Sequence, residues 1–310
     1  MSSQQAVIGN VGQDSAPPPV PVQERASFGV WLRRKGWRHA IALIALIYAL
    51  FPIVWVVTAA FTPHAAISGT SLIPTHPSLA NFQILFNSPA VFYGRWYLNT
   101  ISVAVVASSW SVLMATMAAY VFSRYRFRGR RPGMLFLLLV QMFPSFLALV
   151  AIYNIMEQLG KAYPAVGIGT LWGLILVYMG GALGVNTWLI KGFFDTIPSE
   201  LDESAKVDGG THAQTFWLVI LPLAAPVLSV VFLLSFIGAF NEYVIASILL
   251  QNQKTYTLPL GLNGFISNAY QKNWGPFAAG AVLAAIPVSV LFFILQKYIV
   301  QGLTAGSVKG

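Results

Sequence analysis

Six stretches of this 310-residue sequence, 40–61, 97–123, 132–156, 165–190, 213–241 and 275–296, contain no lysine, arginine, aspartate or glutamate. Each exceeds the roughly 20 helical residues needed to cross a hydrocarbon layer about 30 Å thick. A helix in a water-soluble core would be shorter and would carry charges on its outer face. The pattern therefore predicts an all-α membrane protein with six transmembrane helices, because unpaired backbone groups are not tolerated in lipid. Composition points the same way. Charged residues make up 9% of the chain and apolar ones 56%, whereas a soluble domain carries about 25% charged residues.

The formal charge of +9 could suggest nucleic acid, so the positions of the cations decide. Arg25, Arg33, Arg34, Lys35 and Arg38 precede the first stretch, and Arg124, Arg126, Arg128, Arg130 and Arg131 fill the connection between the second and third. Lys191, Lys206, Lys297 and Lys309 fall on the same side, making 14, and only Arg95, Lys161, Lys254 and Lys272 lie on the other. By the positive-inside rule both termini are expected in the cytosol. The basic balance then reports topology, and no nucleic-acid partner is expected. Residues 1–39 read as a disordered basic cytosolic tail; the run Ala16-Pro17-Pro18-Pro19-Val20-Pro21 and the absence of an apolar core before residue 28 also exclude a secretory signal. Residues 40–296 form the membrane domain and 297–310 a second cytosolic tail. The chain has no cysteine, which removes disulfides and thiolate metal sites.

Several stretches contain residues that perturb helices: Pro144 in the third, Gly180, Gly181 and Gly184 in the fourth, Pro222 and Pro226 in the fifth, and Pro287 in the sixth. Proline removes a backbone donor, and glycine lets helices approach closely. Ordinary packing and hinges of a gated pathway are both consistent with them.

One expected cytosolic segment, about 195–222, differs from the rest. It holds Asp195, Glu200, Asp202, Glu203 and Asp208, five of the nine carboxylates in the chain. Ser199 reads as a cap for a short helix with acids at its positive end, and Gly209-Gly210 ends it. Thr211 reads as a second cap, with Gln214 three residues on completing a capping box. A solvated loop would satisfy topology, but a helix with sharp stops at both ends suggests docking against a soluble partner.

The residues here also carry a resemblance. Glu203-Ser204-Ala205, then Gly209 after three residues and Val219-Ile220-Leu221-Pro222 after nine more, resembles the EAA loop of permease subunits of ATP-binding-cassette importers. Ser204 stands where that pattern has alanine, and Val219 where it has isoleucine. The resemblance implies that the short helix sits in a groove of an ATPase subunit, with Glu203 facing a basic residue and Ser204, Ala205, Asp208, Gly209 and Pro222 completing the coupling segment. Gln141-Met142-Phe143-Pro144, the 209–226 segment and the terminal Val300-Gln301-Gly302-Leu303-Thr304-Ala305-Gly306-Ser307-Val308-Lys309-Gly310 further resemble the smaller permease of maltose/maltodextrin importers. That similarity covers nearly everything from the first stretch onward, while the proline-rich start has no counterpart.

The same resemblance implies a type I permease fold that forms half of a translocation path. The expected partners are a larger MalF-like permease, two MalK-like ATPases and an extracytoplasmic sugar-binding protein. ATP and Mg are expected on the ATPases, with no cofactor in this chain. Gly302, Thr304, Gly306 and Lys309 are then expected at the ATPase interface. The external loop 250–274 is expected to reach the binding protein through Asn252, Tyr256, Asn263, Asn268, Tyr270 and Trp274, although an interfacial loop with aromatic anchors is the plainer reading of those residues.

No phosphate-cradling Gly-x4-Gly-Lys-Ser/Thr motif occurs, so nucleotide hydrolysis requires another chain. His39, His64, His76 and His212 form no ligand pair at helical spacing, so no metal is expected. The competing class is an ion-coupled secondary transporter, for which the only ionisable candidate is Glu242, at the outer end of the fifth stretch. Another α-glucoside such as trehalose is the alternative cargo.

Overall fold

A computed structural model describes residue 29 and residues 36–63, 74, 76–181, 183–267 and 272–305. All regular structure among them is helical. In chain order the helices are α1 (Trp37–Phe61), α2 (Ala80–Asn87), α3 (Tyr93–Arg124), α4 (Arg130–Met142), α5 (Leu149–Ala162), α6 (Leu171–Gly180) and α7 (Val185–Phe194). They continue as α8 (Glu200–Val207), α9 (His212–Leu223), α10 (Ala225–Asn241), α11 (Val244–Leu249), α12 (Leu258–Asn263) and α13 (Trp274–Ala305).

Three helices, α1, α3 and α13, are long and apolar enough to cross a membrane unbroken. Three further spans arise if the bent pairs α4–α5, α6–α7 and α9–α10 each count as one. Pro144 breaks the first pair: Phe143 before it turns extended, with ψ 125°, as a residue preceding proline prefers. The third pair bends by 78° at Ala224, between Pro222 and Pro226. Pro287 behaves otherwise and sits inside the continuous α13. Val282, Leu283, Val288 and Leu291, on both sides of it, pack against one apolar cluster, and that shared footing keeps the helix whole.

The chain divides into two units, 1–52 and 53–310. In the second, α3 is the central mast. Helices α6, α7 and α10 all lie against it, and α13 packs on α10 and α2. Its buried stripe, Thr100, Ala104, Ala107, Ser108, Ser111, Ala115, Thr116 and Ala119, recurs at three- and four-residue intervals and is made of small residues. Such a stripe lets neighbouring backbones come close without lipid filling the gap. The hydroxyls of Thr100, Ser108 and Thr116 donate to the carbonyls of Trp96, Ala104 and Val112 in their own helix, which satisfies them in an apolar setting. Large apolar side chains point outward instead, among them Leu135, Phe136, Leu139, Phe292 and Phe293, as lipid allows.

The fifth span, α9–α10, ends at Asn241. Glu242 turns extended, and α11 carries the chain onward to pack Ala246 and Leu249 against Leu174 and Met156. Glu242, directly after the last residue of α10, lies beside the middle of α3 and lines one cavity with Ser108 and Ser111.

Candidate coupling site

The acidic helix α8 is held by its ends and by one side chain. At its C-terminus the Gly210 N–H donates to Ala205 O (2.8 Å) and the Gly209 N–H to Lys206 O (3.0 Å), the paired bonds of a Schellman stop. Gly209 has φ +84°, a left-handed conformation that a side chain disfavours. A Cβ on Gly210 would lie 2.7 Å from Ala205 O, so both glycines are required. At the N-terminus Ser199 does not act as the expected cap: it is already helical, with φ −69° and ψ −19°, and its side chain accepts no capping bond. Its carbonyl instead accepts the N–H groups of Asp202 and Glu203.

The next helix begins as its capping box requires. Thr211 Oγ1 accepts from Gln214 N, and Gln214 Oε1 accepts from Thr211 N at 2.8 Å. Within α9, residues Thr215–Ile220 widen into a π-helical turn that buries Phe216 and Ile220. The Phe216 ring lies 4.9 Å from that of Tyr120, tilted by 55°, and Tyr120 also meets Phe194 edge-on.

Asp202 links α8 to the mast. Its Oδ2 lies 2.9 Å from Arg124 Nε, with the two side chains only 10% and 13% exposed. That contact lacks hydrogen-bond alignment, so its attraction is coulombic. The Tyr120 hydroxyl donates to Asp202 Oδ1 at 3.2 Å, and Arg124 also donates to Ile197 O at 3.0 Å. One guanidinium at the end of α3 thus holds both the strap leading into α8 and the helix itself. A second tie lies alongside: Asp195 accepts from Ser123 and from Lys191. Burial opposes the Asp195 charge, but the Lys191 ammonium, the Ser123 hydroxyl and the nearby Arg130 outweigh it and hold the carboxyl below its usual range.

The opposite face of α8 is bare. Glu203, Ser204 and Asp208 are exposed, Ala205 is half-buried and Val207 is 87% exposed. Carboxylates flanking an uncovered valine make a patch that is both charged and apolar. Pro222 stands on the last turn of α9, just before the 78° bend. Sequence reading missed Arg124, Asp202 and Tyr120 as a set, counting Arg124 only as a topology charge. Its position in the last turn of α3 was the available signal.

Segment 250–274, expected to be external, is more closely attached than its polar composition implies. Three residues on one face of α3 staple it down: Trp96 Nε1 donates to Gln253 O (2.7 Å), Asn99 Nδ2 to Lys254 O and Tyr256 O, and Thr100 Oγ1 accepts from Leu258 N (2.6 Å). Tyr256 is half-buried against two apolar clusters, so it is turned inward. Asn252 accepts from Lys254 N, and Asn263 accepts from the Tyr243 hydroxyl. Trp274 opens α13 and meets Phe277 edge-on. Asn268 and Tyr270 lie outside the described residues, as do Gly306 and Lys309; Gly302 and Thr304 fall on the last turns of α13.

A helical membrane protein built on a central mast, with a short acidic helix clamped at one end, has the ABC-importer permease fold. Residues 111–305 match the family described as the binding-protein-dependent transport system inner membrane component, and the chain belongs to it. It is a transport component and not an enzyme. Among relatives, the galactooligosaccharides transport system permease protein GanQ of Bacillus subtilis (strain 168) is 40% identical, covering 87% of this chain and 93% of its own length. The maltose/maltodextrin transport system permease protein MalG of Vibrio vulnificus (strain YJ016) is also 40% identical, over 91% and 98%. A chain in the crystal structure of a bacterial ABC transporter involved in import of the acidic polysaccharide alginate shares the fold, with TM-score 0.71 and 24% identity over 90% of this chain and 99% of that one.

Proposed function

We propose that this chain is the smaller permease of a maltodextrin-type importer, contributing half of the translocation path and passing ATPase motion to it through α8. The carrying observation is the two-faced α8: Asp202 and Arg124 fasten its rear to α3, and Glu203 and Val207 stand uncovered at the front. A rigid lever with a free mixed surface is what transmission between two subunits needs. In this reading the ATPases hold ATP and Mg, a larger permease supplies the other half of the path, and the external loop 250–274 meets a sugar-binding protein. The tail from Gly302 and Thr304 through Gly306 and Lys309 approaches the ATPases.

Malto-oligosaccharide is assigned as cargo because relatives named for maltose or maltodextrin match over 91% and 75% of the chain. The galacto-oligosaccharide reading, carried by the first relative above, is the specific competitor. Uptake of labelled maltotriose and of β-1,4-galactotriose by cells with and without the chain separates the two. Maltotriose uptake that depends on the chain is expected, and galactotriose uptake alone would transfer the assignment.

The distribution of cations supports a cytosolic location for both termini and α8. Cysteines at Ser3 and Ser307 are expected to resist an impermeant thiol reagent in intact cells, and one at the exposed Ser267 to react. Labelling of Ser3 from outside would reverse the orientation and put α8 on the wrong side for an ATPase.

A further inference from the structure

Two uncharged stretches end at one small cavity. Arg131 is the last cation before stretch 132–156, and Lys191 is the first after stretch 165–190. Both therefore stand at a boundary between membrane and water. Folding brings these two ends together. Arg130, Arg131, Met134 and Leu135 from the start of α4, with Trp188 and Lys191 from the end of α7, line a cavity of about 460 Å³. That volume falls within the range for small-molecule sites, about 300–1,000 Å³. The lining has two halves. The cations are at the ends of the stretches, and Met134, Leu135 and Trp188 lie about one turn inside them. Trp188 Nε1 donates to Met134 O at 3.2 Å, which ties α7 to α4 along the apolar half.

The three cations differ in what already holds them. Arg130 Nε donates to Phe122 O at 2.6 Å and its Nη2 to Ser123 O at 3.3 Å, carbonyls left over at the end of α3. These acceptors carry no formal charge, so they fix the guanidinium without neutralising it. Lys191 pairs with Asp195 at 2.5 Å, and Arg130 also acts on that carboxylate. Arg131 is exposed and makes no hydrogen bond or ion pair among the described residues. Three cations against one carboxylate leave the cavity positive. A guanidinium presents its donors in one plane and matches two oxygens of a phosphate. The apolar half continues along α4 into Leu135, Phe136 and Leu139, all exposed. A soluble anion would make no use of that face, whereas an amphiphile would fill both halves.

We propose that the cavity between the start of α4 and the end of α7 binds an anionic phospholipid, with Arg130 and Arg131 on its phosphate and an acyl chain along Met134, Leu135 and Trp188. The proposal rests on the membrane fold, and neither the cargo nor the coupling through α8 enters it. Anionic lipids give the cytosolic leaflet its negative surface potential, and basic pockets between spans suit their headgroups. The surplus positive charge also selects among lipids. A zwitterionic headgroup would bring its own cation up to Arg131, and a headgroup of net negative charge would not.

The test uses the full chain with the subunits that copurify with it, reconstituted into phosphatidylcholine vesicles. These carry either a phosphatidylglycerol or a phosphatidylcholine with a diazirine in its acyl chain. The phosphatidylglycerol probe is expected to label peptides containing Leu135 or Trp188, and the phosphatidylcholine probe to label them several-fold less. Arg131→Ala is expected to lower that labelling by about fivefold, the effect of one cation near an anionic headgroup. Arg131→Lys, which keeps the charge, should retain most of it. Arg128→Ala removes an exposed cation of the same connection that does not line the cavity, and should leave the labelling unchanged. Equal labelling by the two probes, or equal losses in Arg131→Ala and Arg128→Ala, would overturn the proposal by reducing it to general attraction for the membrane. Absence of label from both peptides in the wild type would overturn it as well. Displacement of the probe by millimolar inorganic phosphate would overturn the lipid assignment in favour of a free anion. The comparison of the two probes on the wild type decides the matter even where a variant fails to fold.

Discussion

Asp202→Ala is expected to abolish sugar uptake and to strip the ATPase from the purified permease, although the altered side chain faces away from the proposed docking surface. The substitution leaves the Arg124 guanidinium, 13% exposed, without a counter-charge. Breaking a buried pair by removing one partner costs about 3–5 kcal/mol, more than the pair itself contributes. Relief comes from letting the strap at Ile197 and the first turn of α8 move off α3 so that water reaches the guanidinium. At 1.4 kcal/mol per factor of ten, a cost of this size depletes the docked helix by more than about a hundredfold. Arg124→Ala should act in the same direction and should also release Ile197 O. The double variant Arg124→Met, Asp202→Leu buries no charge and is expected to recover part of the uptake. Copurified ATPase and uptake, measured at equal membrane abundance, check all three. Wild-type uptake by Asp202→Ala would show that the ion pair does not hold α8, and a double variant worse than either single would point to a direct role for the charges.

The second large effect lies on the front of the same helix. Glu203→Lys is expected to remove transport and ATPase stimulation while leaving insertion intact, since Glu203 is exposed and no described partner is lost from this chain. If the ATPase groove is basic, the change turns attraction into like-charge repulsion, which can cost several kcal/mol at a close interface. Gly209→Val should reach the same end by another route. At φ +84° a β-branched side chain is strongly disfavoured, so the Schellman stop opens and α8 no longer ends where α9 must begin. Glu200→Lys, one turn earlier, is expected to be milder. Uptake and copurified ATPase decide the outcome, and full activity of Glu203→Lys would make this surface a merely solvated one.

Legibility differed between elements for physical reasons. Local signals were readable wherever one segment supplies both partners. The Thr211–Gln214 box, the left-handed Gly209 and the bend beside Pro222 all formed as the residues demand. Ser199 did not cap, because its backbone already belongs to the helical turn. Proline was an incomplete guide: Pro144 ends a helix, and Pro287 does not, held by packing on both of its sides. The attachment of loop 250–274 was not legible: hydrogen bonds from Asn99 on α3, about 155 residues earlier in the chain, to the carbonyls of Lys254 and Tyr256 draw that loop onto the bundle.

Six uncharged stretches of more than 20 residues determined by themselves that the chain is helical and membrane-embedded, since lipid offers the backbone no other partner. The EAA-like spacing likewise determined which loop to examine. Tertiary structure alone decided what fastens that loop. Arg124 and Asp202 are separated by 77 intervening residues, and although Arg124 alone of five neighbouring arginines ends α3, nothing in either neighbourhood names Asp202 as its partner. It also decided that Glu242 lies beside the midpoint of α3, because the depth of a residue depends on where its helix breaks and which helix it leans on. Local sequence specifies periodicity and caps, which involve neighbours within about four residues. Ion pairs and cavities between spans depend on how helices pack, and only the folded chain brings those residues together.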